Sequence, residues 1–334
     1  MRIIVDAFGG DNAPGEILLG CARGMENLGI DITLTGDRDR ILAAAKEMNV
    51  AGQVEKMEII HCPQVLTMED EPGSILKEKA ESSMAVGVRA LAEGKGDAFA
   101  SAGNSGALGF GALRVVRWLK GVRRGAFAPV LPTTRGPFMI CDGGISVEAR
   151  PDWLLQYGVM GSVYMEKVMG IKNPRVGLVN VGTEDHKGGD LRREAYALLK
   201  GSRTINFIGN VEARDIPYGV CDVAVADGFT GNTVLKLYEG TALAMMGMVK
   251  EIFQKNVKNK LAAAMIYGDL QGLKKRMDYN SYGGAPVIGA SKPMFKMHGN
   301  ARARAVESAL KLVRDCTQSG YVETLAEAFS QKAE

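Results

Sequence analysis

A chain of 334 residues with 46% hydrophobic and 24% charged positions has the composition of an ordinary globular protein. That excludes a disordered, collagen-like or disulfide-stapled chain, and a net charge of +3 is too mild for a nucleic-acid binder without local clustering. The five cysteines (21, 62, 141, 221 and 316) form no Cys-x-x-Cys pair and read as reduced thiols of a cytoplasmic protein. Asp6 comes too early for a signal peptide, and no apolar run reaches the roughly 18 residues a membrane span needs.

Apolar, mostly β-branched runs at 3–5, 32–34, 58–60, 98–100, 128–131, 138–140, 176–179, 205–208 and 223–225 predict strands. Stretches with helical spacing lie at 38–48, 75–92, 105–120, 152–168, 188–200, 232–254 and 301–315. Their alternation predicts a three-layer α/β/α fold with a mostly parallel sheet covered on both faces. Pro129 and Pro132 push their run to a sheet edge. With no repeat and no linker, 1–334 reads as a single α/β domain.

Residues 255–280 stand apart as an amphipathic hairpin broken at Gly268-Asp269. Leu261, Met265 and Ile266 mark the apolar face of its first helix, and Leu270 and Leu273 that of its second. Such a pair of helices can pack on the body or on a second subunit, or rest on a membrane surface.

In open α/β sheets ligands bind beyond the carboxyl ends of the strands. Five such ends here are rich in Gly, Asn, Asp and Ser: 6–14, 101–106, 141–144, 180–190 and 226–232. Gly103-Asn104-Ser105-Gly106 and Gly228-Phe229-Thr230-Gly231-Asn232 each precede or open a predicted helix. They suit an anion held by backbone N–H groups, or else are Gly-rich turns whose Ser and Asn cap helices. Lys187 is the lysine within these turns, and His61, His186 and His298 follow apolar runs, His298 being the best placed for proton transfer. No GxGxxG, GxxxxGK[ST] or GxSxG motif occurs. Cys62 and Cys141 lack an activating neighbour in sequence. Asp6, Asp11, Asp142, Asp185 and Asp227 can gather around a metal, but a single N–H-lined anion site accounts for them as turn-formers, so neither metal nor cofactor is expected.

The strand-end segments at 6–14, 101–107, 182–188, 207–215, 227–232 and 282–286, taken in order, resemble the phosphate acyltransferases of bacterial phospholipid synthesis, the PlsX family. Phe8, Ser105, Ser146, Gly189 and Asn300 depart from the residues usual in that family. The resemblance implies a fold similar to isocitrate and isopropylmalate dehydrogenases. It implies synthesis of acyl phosphate from long-chain acyl-[acyl-carrier protein] and inorganic phosphate. It also implies a homodimer that associates peripherally with the membrane and supplies a membrane glycerol-3-phosphate acyltransferase. Phosphate or substrate is then expected at Gly9, Gly10, Asp11, Asn104, Ser105, Gly106, Asp142, Thr183, Asp227 and Gly231. Lys187 with Asn232 or Asn104 would stabilise the oxyanion, and His298 or Asp6 would move a proton. The acidic carrier would meet the lysines around 255–276, and the acyl chain or lipid the apolar hairpin face. Two rival readings are a nicotinamide-dependent dehydrogenase on the same fold and a non-catalytic carrier or membrane adaptor.

Overall fold

The structure, a computed structural model, describes residues 1–277 and 283–330, apart from the side chains of 273–277. Twelve strands among these residues form two sheets. The first has seven strands: β1 (Arg2–Asp6), β2 (Asp31–Gly36), β3 (Glu58–His61), β4 (Ala98–Ser101), β5 (Ala126–Phe127), β11 (Ala285–Ile288) and β12 (Met294–Lys296), in the order β3-β2-β1-β4-β12-β11-β5. The second has five: β6 (Val130–Pro132), β7 (Pro137–Cys141), β8 (Arg175–Asn180), β9 (Asn206–Glu212) and β10 (Val223–Val225), in the order β6-β7-β10-β8-β9. Every pairing is parallel except those made by β6 and β11.

Ile3, Ile4 and Val5 are all fully buried, because a central parallel strand is covered on both faces. On one face of this sheet α1 (Gly15–Leu28) lies against α11 (Ala303–Gln318). Gly20 permits their approach, since a Cβ there would fall 2.4 Å from the Cβ of Val306. On the other face α4 (Ser83–Ala92) buries Met84, Val88 and Leu91. The five-stranded sheet is covered by α6 (Pro151–Lys167), which buries Tyr157 and Tyr164, and opposite it by the first turns of α8 (Gly228–Gln254). The remaining helices are α2 (Arg38–Glu47), α3 (Ala51–Val54), α5 (Ser105–Gly111), α7 (Asp190–Gly201), α9 (Val257–Met265), α10 (Tyr267–Met277) and α12 (Tyr321–Ser330).

This is the mixed α/β layering that the alternation of elements predicts, with five differences. The Gly-rich turns do not share one sheet edge: those after β1 and β4 belong to the seven-stranded sheet, and those after β7, β8 and β10 to the other. The sheets meet where the Phe127 N–H donates to Asp142 Oδ1 (3.1 Å) and the Gly143 N–H donates to the Phe127 carbonyl (2.7 Å). Strands β11 and β12 were not expected, being three or four residues long and flanked by glycines and prolines. Helices α1 and α12 were not expected either. The expected 75–92 helix starts only at Ser83, where Ser82 Oγ accepts the Ala85 N–H, and α8 starts four residues early, at Gly228, because Asp227 caps it. The hairpin breaks at Ile266 rather than at Gly268-Asp269, which places Asp269 in the first turn of α10, where a carboxylate suits the helix dipole.

Candidate active site

A cleft of about 400 Å³ opens between the two sheets. Phe127, Pro129, Val130 and Leu131 from the crossing between β5 and β6, with Leu235 of α8, make an apolar wall. The polar lining comes from Ser105, from Asn232, Lys236 and Glu239 along α8, and from Lys296, His298 and Gly299 at the end of β12. Residues 232, 236 and 239 recur every three or four positions, so one helix face turns all three inward. Pro129 lies between two strands that each end a sheet, as its missing N–H requires.

The turns around this cleft are built by side chains that are themselves consumed. Asp142 is fully buried and accepts four backbone N–H groups, from Phe127, Gly144, Ile145 and Ser146, at 2.7–3.1 Å. Burial nonetheless pushes its carboxyl above the usual range, against the pull of those donors. Asp6 is buried likewise, accepts from Ser101 Oγ (2.7 Å) and the Phe8 N–H (3.1 Å), and is also shifted upward by burial. Asp227 caps α8 through the Thr230 N–H (2.9 Å) and pairs with Arg192. Asn104 Oδ1 caps α5 through the Ala107 N–H (3.0 Å), while its amide donates to the carbonyls of Thr67, Met68 and Asp70. The amide thereby holds Met68 over the cleft rim.

Glycines make the close approaches. A Cβ on Gly231 would stand 1.9 Å from the Asp142 carbonyl oxygen, so only glycine lets α8 dock on that turn. A Cβ on Gly9 would stand 2.6 Å from the Gly103 nitrogen, and one on Gly106 2.7 Å from Pro72. Gly10 has φ +94°, and the next N–H, that of Asp11, donates to the Gly299 carbonyl (2.8 Å).

The expected site residues therefore divide. Ser105, Asn232 and His298 line the cleft; Asp6, Gly9, Gly10, Asp11, Asn104, Gly106, Asp142, Asp227 and Gly231 brace its surroundings. Thr183 and Lys187 belong to the exposed loop between β8 and α7, outside the cleft lining. Lys187 Nζ is 3.9 Å from Glu184 and its side chain is 42% exposed. His61 Nδ1 accepts the Arg38 N–H (3.1 Å), and His186 is exposed. Cys62 and Cys141 are buried, and burial raises both thiols, Cys62 to about 12. Leu261, Met265 and Ile266 are exposed and Leu270 is half-buried; the Leu273 side chain lies outside the described residues.

Sequence reasoning missed Lys296. Its ammonium donates to the carbonyls of Ala102 (3.1 Å) and Met297 (2.5 Å). Burial, and then the nearby Lys236 charge, lower its pKa from 10.5 to about 8, while Asp6 and Asp11 pull the other way. The available signal was a lysine inside the apolar run Met294-Phe295-Lys296-Met297, where a charge is costly unless it has work or partners.

Known proteins share both the sequence and the layout. The profile of a family described as Fatty acid synthesis protein matches residues 1–324. A phosphate acyltransferase from Thermoanaerobacterium thermosaccharolyticum is 44% identical over 93% of this chain and 91% of its own length. Another, from a Geobacillus species, is 44% identical over 99% of both chains. Among solved structures, a phosphotransacetylase from Streptococcus pyogenes superposes with a TM-score of 0.65 at 14% identity, covering 95% of this chain and 94% of its own. A 4-hydroxythreonine-4-phosphate dehydrogenase fold from Salmonella typhimurium does so at 0.51 and 14%, covering 94% and 98%. The structural likenesses speak for the fold, but the sequence match runs the length of the chain: the chain belongs to the phosphate acyltransferase (PlsX) family of fatty acid and phospholipid synthesis and is an acyltransferase.

Proposed function

We propose that the cleft forms acyl phosphate from inorganic phosphate and a long-chain acyl thioester carried on acyl carrier protein. The observation that carries this reading is the union, in one cleft, of an apolar wall with a cationic polar floor. An acyl chain needs the first and a tetrahedral anion the second. Phosphate oxygen attacks the thioester carbonyl; the C–O bond forms, the C–S bond breaks, and the electron pair leaves on the pantetheine sulfur as thiolate. Asn232 and Ser105 offer donors to the carbonyl oxygen as it gains charge, and His298 can pass a proton to the departing sulfur. Holding both reactants side by side supplies the proximity term.

The test is mass spectrometry of the products from a long-chain acyl carrier substrate with and without phosphate. Phosphate-dependent acyl phosphate supports the reading; thioester left intact by active-site-competent, folded protein rejects it.

The exposed helices give the same reading a location. Val257, Leu261, Met265 and Tyr267 are more than half exposed, with Lys255, Lys258 and Lys260 beside them. No helix among the described residues is long and apolar enough to cross a membrane. We read this hairpin as resting on an anionic membrane surface, where an acyl phosphate would be delivered. Leu261→Glu should abolish flotation with anionic vesicles and leave activity in solution; unchanged flotation rejects the hairpin's role.

A further inference from the structure

We propose that Lys296, rather than a lysine of the Gly-rich turns, is the side chain that grips phosphate in the cleft, with Lys236 as the second cation facing it. The proposal deepens the acyl-phosphate reading and rests on it for the identity of the anion. Three features of the structure converge on it.

The first is placement. Lys296 ends β12, in register with Ser101 on the parallel neighbour β4, and its side chain lines the cleft floor. Two of its three N–H donors are spent on the carbonyls of Ala102 and Met297, one from each flanking loop, which fixes the nitrogen and leaves one donor for a ligand. The 101–103 turn is fixed in its turn: Ser101 Oγ donates to Asp6 and accepts the Gly103 N–H (3.0 Å). A cation so held needs little reorganisation when an anion arrives.

The second is charge. Lys236 comes to the same cleft from α8, with its ammonium 3.2 Å from Glu239. Two ammonium groups facing one cavity repel each other, and a phosphate dianion between them relieves that repulsion.

The third is protonation. The charges of Lys236, Asp6 and Asp11 act on Lys296, and Glu239 of α8 and His298 at its own strand end line the same cleft. In the absence of an anion its pKa is held to about 8. A bound anion favours the ammonium, so above that pH phosphate binding must take up a proton and weakens as pH rises. An ordinary surface lysine would show no such limb until about pH 10.

The experiment uses the full-length protein, with inorganic phosphate in calorimetry and with phosphate and acyl carrier substrate in steady-state kinetics. Lys296→Met should weaken phosphate binding and raise its KM about tenfold or more, with the KM for the acyl substrate little changed; Lys296→Arg should recover part of the loss. Lys236→Met should cost less affinity and move the alkaline limb to higher pH, because it removes a charge that holds the Lys296 pKa down. A lysine that merely supported the fold would not produce that shift. Circular dichroism and thermal unfolding establish that each variant folds. Unchanged phosphate affinity in folded Lys296→Met, or an alkaline limb that stays put in Lys236→Met, overturns the proposal. Lys296-dependent phosphate binding by wild-type protein that yields no acyl phosphate sustains the anion site and sinks the reaction assigned to it.

Discussion

The Gly-rich turns and the end of β12 use polar residues in opposite ways. In the turns, Asp142, Asp227 and Asn104 spend their side chains on backbone N–H and C=O groups, Asp227 and Asn104 each capping the helix that follows. At the end of β12, Lys296 lines the open cleft with two of its three donors spent on carbonyls, and Asn232 and Lys236 of α8 line the same cleft. One region is scaffold, and the other lines the cleft where we place phosphate. Turn chemistry is dense where the backbone must bend, and that density is no measure of where substrate charge is met.

This division predicts a double dissociation: changes in the turns should strike stability first, and changes on the cleft floor should strike kinetics first. The largest effect should come from Gly231→Ala, because its Cβ would stand 1.9 Å from a backbone carbonyl that cannot retreat without moving the Asp142 turn. We expect a loss of about 3 kcal/mol or more in chemical denaturation. Asp142→Ala follows, since four N–H donors lose their acceptor; about 3 kcal/mol is the expected cost, with Asp142→Asn recovering part of it. Asn104→Ala should cost about 1–2 kcal/mol through the lost cap, and should loosen the 67–70 segment to hydrogen exchange. Asn104→Asp, which keeps the cap and loses the amide donors, should separate the two effects.

Lys296→Met should change stability less than these turn variants, and in a way that depends on pH. The folded pKa of about 8 lies below the ordinary 10.5, so between these values the unfolded chain holds more protons than the folded one. The contribution of this group therefore rises as pH climbs through that window and is lost as pH falls through 8. Lys296→Met should flatten that rise in denaturation curves taken from pH 7 to pH 10. A fall instead of a rise in wild type would mean the ammonium is favoured by its carbonyl partners more than burial opposes it.

Much of this layout was legible in the sequence, for physical reasons that also mark the limit. Buried parallel strands such as 3–5 and 176–179 announce themselves as unbroken apolar runs. Several of their Gly-rich ends contribute to the cleft lining. That Asn232, Ser105 and His298 would come to the cleft was legible because each lies in or directly after such a turn or run. Lys296 was not, because β12 is three residues long and its partners, Ala102 and Asp6, are almost 200 residues or more away in the chain. Lys187 drew notice because glycines surround it; its loop follows β8 of the five-stranded sheet and its ammonium is 3.9 Å from Glu184. Short strands inserted late in the chain carry no periodicity of their own, so what they bring to a site emerges only when the sheet is assembled.

The most direct test of where phosphate is held is a crystal structure of the wild-type protein with inorganic phosphate and a non-cleavable acyl-pantetheine thioether. The predicted result is phosphate hydrogen-bonded to Lys296 Nζ with Asn232 and Lys236 around it and the acyl chain along Phe127, Leu131 and Leu235. Phosphate held by Lys187 on the loop after β8, with the chain outside the cleft, would contradict it.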